Sequence, residues 1–158
     1  MLEGLYDRDV LIWSEQQAAL LRRLAAGELL NEAVDWENLI DEVEAVGRSE
    51  LHACENHVRQ ALVHLLKLRT WQGNQAANHW RGETVGFLAG AQRSFTPSMR
   101  QRTDLEALYK LASKQVRIEA AGGSGLRPLP ETCPFTLDEL LAADAEVVDL
   151  ETKLAAAA

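Results

Sequence analysis

The sequence is poor in the residues that staple or stiffen small folds: it has two cysteines, four prolines and ten glycines in 158 residues. Cys54 and Cys133 lie far apart and form no C-x-x-C pair. That indicates neither a disulfide framework nor a sequence-readable zinc site, and it reads as two free thiols in the reducing cytoplasm. So little Pro and Gly excludes collagen-like and low-complexity classes. Aromatics make up 6% of the chain and β-branched residues are few, which argues against a substantial sheet. No apolar run nears the roughly 20 residues needed to cross a membrane, and MLEGLYDRDV lacks the basic and apolar regions of a signal peptide. Positive charge is scarce too. Sixteen Lys and Arg face 24 Asp and Glu, a formal net charge of -8, so the chain has little to neutralise a phosphate backbone and nucleic acid is a poor partner. A Gly-rich phosphate loop, a nucleophile elbow and an H-E-x-x-H pair are also missing. No common enzyme class is supported, and no cofactor is indicated.

What the sequence has is helix former. Ala, Leu, Glu, Gln and Arg dominate, and their side chains lose little rotamer freedom in a helix. The fold class expected is all-α: a bundle of about four main helices around one long helix, with a short C-terminal helix. The length suits one core, so residues 1–154 read as a single domain. The run Ala155–Ala158, native or a cloning scar, is set aside as a tail.

Punctuation sets the boundaries. Asp7 or Asp9 opens a first helix, whose stripe is Val10, Trp13, Ala18, Leu20, Leu21 and Leu24 and whose stop is Gly27. Asp35 caps the long helix, which runs from about Trp36 to about Leu68 and would be roughly 50 Å long at 1.5 Å per residue. Ile40, Val43, Gly47, Leu51, Cys54, Val58, Ala61, Leu65 and Leu68 recur along it at intervals of three and four. Gly47 and Ser49 offer a break into two helices, but the stripe keeps its phase through them, so one helix is favoured. A third helix follows the turn at Gly73 and Asn74, ends at Ser94, and turns Trp80, Val85, Leu88 and Ala91 inward. Thr96-Pro97 opens a fourth, with Leu105, Leu108, Leu111 and Ile118 continuing to Gly122. After the Gly- and Pro-rich stretch 122–134, Thr136 and Glu139 form a capping box over Leu137, Leu140 and Leu141.

Charge is uneven along these elements. Residues 28–55 hold nine acids and one base, whereas 67–127 hold ten bases and four acids. The acidic first half of the long helix is therefore expected to face the basic third and fourth helices, and a basic binding face is the alternative use of those bases.

Several segments in order carry a resemblance: LYDRDVLIW (5–13), VDWENLIDEVEAVGRSE (34–50), LVHLLKL (62–68), HW (79–80) and TCPFTLDELL (132–141). Together they resemble a bacterial family known as domain of unknown function family 29. The resemblance implies an all-helical bacterial protein and carries over no activity, cofactor or site residue. The run Gly122–Gly125 is longer and richer in glycine than that family's pattern.

Three groups are candidates for function. Cys54, His57 and His64 fall near one face of the long helix and have ligand chemistry for a zinc-like metal, with His79, Glu42 or Asp41 to complete the shell; the plain structural reading is a core thiol and two hydrogen-bonding imidazoles. Asp41 and Glu44 share a face at i, i+3 while Glu42 points elsewhere, and an acid–base role would need a pKa displaced by burial or by partners such as Arg48 or Lys67. Trp13, Trp71 and Trp80, with Tyr6, are core anchors or line an interaction groove beside Arg81 and Arg93; Trp36 completes the tryptophans. The function expected is that of a non-enzymatic cytoplasmic interaction protein, homo-oligomeric or bound to another protein. The alternative is a small metalloprotein or metal-dependent enzyme with its site in the bundle core.

Overall fold

The computed structural model describes residues 4–30 and 34–158, apart from the Val10 side chain. The expected stripe position Val10 and the acid Glu32 therefore fall outside the described features. The described chain is helical without a strand, in seven α-helices: α1 (Leu5–Arg8), α2 (Val10–Ala25), α3 (Trp36–Thr70), α4 (Ala77–Ser94), α5 (Leu105–Glu119), α6 (Leu137–Leu141) and α7 (Val147–Ala157). It divides into two compact units, Met1–Arg48 and Ser49–Ala158. α3 is continuous through Gly47, as its unbroken stripe requires.

In the first unit the helix ends follow local chemistry. The Asp9 carboxylate accepts the Ile12 N–H at 3.0 Å and caps α2. At the other end Gly27 takes φ 87°, its N–H donates to the Leu24 carbonyl at 2.9 Å, and Glu28 N–H donates to Arg23 at 3.1 Å. These are the paired bonds of a Schellman stop. Asp35 joins α2 to the start of α3. Its Oδ1 accepts Asn38 N–H at 3.4 Å, its Oδ2 accepts Asn38 Nδ2 at 2.8 Å and Trp13 Nε1 at 3.0 Å, and its own N–H donates to Gln17 Oε1 at 2.9 Å. Tyr6 packs edge-on against Trp13, centroids 4.9 Å apart, and donates its hydroxyl to Glu42 Oε1 at 2.6 Å. Among the described residues of this unit, Trp13 is the one fully buried apolar side chain.

The second unit is built by burial. Val58, Ala61, Leu62, Leu65 and Leu66 of α3 meet Leu88 and Ala91 of α4, Tyr109, Ala112 and Val116 of α5, Leu140 of α6 and Leu150 and Leu154 of α7 in one core. Gly90 lets α4 approach α3 closely, since a Cβ there would lie 2.9 Å from the His57 ring. The segment after α5 is tied down by Arg127 N–H to the Thr70 carbonyl at 3.1 Å and by the Tyr109 hydroxyl to the Pro130 carbonyl at 2.8 Å. The Thr136–Glu139 capping box forms as expected, with Thr136 N–H to Glu139 Oε2 at 2.7 Å and Glu139 N–H to Thr136 Oγ1 at 3.2 Å.

Three expectations change. Pro97 opens only a 3-10 turn, Pro97–Met99, and the helix proper starts at Leu105 because Asp104 caps it through Ala107 N–H at 3.0 Å. The inward faces expected of α4 and α5 are met in part: Leu88 and Ala91 are buried in α4 as expected, with Thr84 beside them and Val85 exposed, and in α5 Leu105 and Leu108 pack against the core while Leu111 and Ile118 are exposed and Tyr109, Ala112, Ser113 and Val116 are buried. Small and aromatic residues fit the close contacts, and Thr84 satisfies its hydroxyl by donating to the Trp80 carbonyl at 2.7 Å. The chain also ends in a helix that the capping signals did not announce, α7, which extends through the alanine run to Ala157.

Candidate functional site

Cys54, His57 and His64 all pack against α4. Cys54 is buried, its Sγ lies 3.7 Å from the Ala91 carbonyl, and burial pushes its thiol pKa up. The His57 ring lies over Gly90 and 6.4 Å from the Phe87 ring centroid, with a buried Nδ1 that meets no hydrogen-bond partner among the described residues. His64 Nδ1 lies 2.8 Å from the carbonyl of Gln60, one turn back on its own helix, and its ring centroid is 5.3 Å from that of Phe87. His79 is exposed. Among the described residues, no group of three or more His, Cys, Asp and Glu side chains is placed to hold a metal ion.

The acids of α3 divide as their spacing implies. Asp41 and Glu44 are exposed, Glu44 reaching Arg48 at 3.4 Å, while Glu42 turns inward to Tyr6, whose pKa that bond raises. Lys67 pairs with Glu119 at 2.8 Å. Among the described residues, Lys67, Arg81 and Arg100 form ion pairs with Glu119, Glu151 and Asp138.

The aromatic residues form two pairs, one in each unit. Tyr6 and Trp13 pack in the first, where Trp13 is only 4% exposed and spends its N–H on Asp35. Trp71 and Trp80, centroids 6.0 Å apart, pack in the second, half-buried against the core. Arg81 is held by Glu151 through bonds of 2.8 and 2.9 Å. Trp13 is thus a structural anchor of the first unit, with its indole N–H committed to a helix cap.

Among the described residues Trp36 is the exposed aromatic side chain. Trp36 and Ile40 are each 55% exposed and Val43 is 67% exposed. Their spacing of four and three places them on one face of α3, followed by Gly47 on the same line. This stripe is the one that continues as Cys54, Val58, Ala61, Leu65 and Leu68, all buried. Glu37, Asp41 and Glu44, all exposed, run beside the apolar line at i, i+4 and i+7. The result is a ridge of large apolar side chains edged with carboxylates. The first unit as a whole carries eleven acids against four bases, a net of −7, while Ser49–Ala158 carries thirteen against twelve.

A second surface of mixed character lies on α5. Leu111 and Ile118 are 57% and 66% exposed, and Lys110, Lys114 and Arg117 line the same outer side. Among the described residues these three bases form no ion pair. A cavity of about 380 Å³ opens beside them, lined by Tyr109, Lys110, Ser113, Lys114 and Arg117 among others.

The family described as Domain of unknown function DUF29 matches residues 5–145. The chain belongs to that family. A crystal structure of an alpha-helical protein of unknown function from Rhodospirillum rubrum is similar in fold and sequence: it has 25% identity and a TM-score of 0.71, covering 96% of this chain and 98% of that one. The seven helices accord with that likeness. No curated protein matches the chain. Among the described residues no helix is long and apolar enough to cross a membrane.

Proposed function

We propose that the chain is a cytoplasmic interaction protein that works by its surface, binding a protein partner, a further copy of itself included, through the ridge Trp36–Ile40–Val43. The observation that carries this reading is the change along one stripe: the line of residues that α3 buries in the second unit continues into the first with its largest members in solvent. Apolar side chains scattered singly on a surface need no explanation, but a contiguous row with a polar border is the composition of a docking site. Tryptophan is among the residues that contribute most to interfaces, because its ring buries much area at small entropic cost. The thiols Cys54 and Cys133, both free, fit a reducing compartment.

A photo-reactive amino acid at position 43, with one at exposed His52 on the polar side of the helix as control, tests the reading in cells of the native host. The expected result is a discrete protein adduct from position 43 that is lost when Ile40 is replaced by Asp. Absence of any adduct from position 43 above the control would end the proposal.

A further inference from the structure

The ridge on α3 and the outer side of α5 carry opposite charge on the same spacing. Glu37, Asp41 and Glu44 stand at i, i+4 and i+7, and so do Lys110, Lys114 and Arg117. Each row borders exposed apolar residues: Trp36, Ile40 and Val43 on α3, and Leu111 and Ile118 on α5. At about 100° per residue, the acids of α3 lie to one rotational side of their apolar line and the bases of α5 lie to the opposite side of theirs. Two helices laid parallel, apolar line to apolar line, bring residues from opposite rotational sides together across the seam, as in the flanking positions of parallel coiled coils. A parallel pairing therefore sets three carboxylates against three cations in the same 4-3 order. An antiparallel pairing does not.

We infer that the occupant of the ridge is α5 of a second copy of this chain, packed parallel to the first half of α3. This rests on the reading of the ridge as an interaction surface and names its partner. The alternative self-contact, ridge on ridge, presses the two rows of carboxylates together when antiparallel and, when parallel, sets each row against the side of the ridge that carries Leu39 and Val46 and no cation, so charge favours neither. Because the two surfaces differ, the contact is heterologous: each copy offers a ridge to one neighbour and an α5 face to another, so the assembly is a ring or an open chain. The charge rows set register and orientation, and the apolar rows supply the buried area.

Charge reversal tests this without touching the core. One variant carries Glu37→Lys, Asp41→Lys and Glu44→Lys; a second carries Lys110→Glu, Lys114→Glu and Arg117→Glu; every changed side chain is exposed, and helical circular dichroism verifies folding. If either triple variant fails to fold, the pair Asp41→Lys and Lys114→Glu replaces it. In sedimentation velocity the wild type is expected to grow in mass with concentration, and less so at ~1 M salt, where the screening length falls to about 3 Å. Each variant alone stays monomeric. Mixing the two restores association, because each reversed face then finds its complement. A wild type that remains monomeric up to its solubility limit, variants that associate as the wild type does, or a mixture that stays monomeric would each overturn the inference. If position 43 still forms an adduct with another protein while reversal on α5 changes nothing, self-docking is overturned and the ridge keeps its interaction role. If position 43 forms no adduct at all, both readings fall.

Discussion

The two units hold themselves together by different means. Ser49–Ala158 is nearly neutral and buries aliphatic side chains from five helices with Tyr109 at full burial. Met1–Arg48 carries almost all of the negative charge and buries one large apolar side chain among its described residues, Trp13, which is fixed by a hydrogen bond to the carboxylate that caps α3. Burial is non-directional and scales with area, whereas a polar junction depends on a few bonds in the right geometry. The second unit should therefore tolerate changes in hydrogen bonding and be sensitive to lost volume, with the reverse true of the first.

The largest effect expected from this contrast is in the core. Leu65→Ala removes a fully buried side chain and should cost about 2–5 kcal/mol in the second unit; denaturant melts followed by hydrogen exchange would place the loss in Ser49–Ala158. Asp35→Ala comes next. It deletes the acceptor for Asn38 and Trp13 and should cost about 1–2 kcal/mol, confined to the first unit. Exchange rates rising in α2 and the first turns of α3, with the second unit unchanged, would bear this out; a uniform rise would break the comparison.

Titration separates the units from another direction. Hydrogen bonds from Asn38 and Trp13 hold the Asp35 carboxyl below its usual range. A carboxyl lowered in the folded state contributes stability that is present above its unfolded value near pH 4 and lost as pH falls through the folded one, so acid should loosen the first unit. Glu119 and Glu139 are lowered as well, chiefly by Lys67 and Lys153, but both sit in partly exposed ion pairs that contribute little. Alkali acts on the second unit. Burial pushes the Cys133 thiol up to about 11 and the Tyr109 phenol up to about 12. For groups raised in the folded state, stability is full below the unfolded value and falls as pH rises toward the folded one, so the second unit should weaken above pH 9. Exchange profiles at acid and alkaline pH would read the two losses separately. The smallest effect on stability is expected on the ridge: Val43→Ser should change folding by no more than about 0.5 kcal/mol and still weaken association.

The features legible in the sequence are those that act over one turn of helix. Asp9, Gly27, Asp35 and the Thr136–Glu139 box are recognised by the chemistry of the backbone groups they satisfy, and each does what its spacing implies. Burial phase was less legible. On α5 the spacing points Leu105, Leu108, Leu111 and Ile118 inward; the first two do pack against the core, but its fully buried positions are Tyr109, Ala112 and Val116, and size and closeness of approach are properties of the neighbours. α7 has no capping signal, since Glu146 makes no side-chain cap, even though Val147, Leu150 and Leu154 recur at helical spacing and are buried. The same holds for the ridge. Its residues were visible as a continuous stripe, and only the structure distinguishes the half that is covered from the half that is not.

Hydrogen exchange along α3 as protein concentration rises tests the central claim most directly. The amides around Trp36, Ile40 and Val43 should exchange rapidly in dilute protein and slow progressively with concentration, while those from Cys54 to Leu68 stay protected throughout. Exchange around Trp36–Val43 that is independent of concentration would contradict the account.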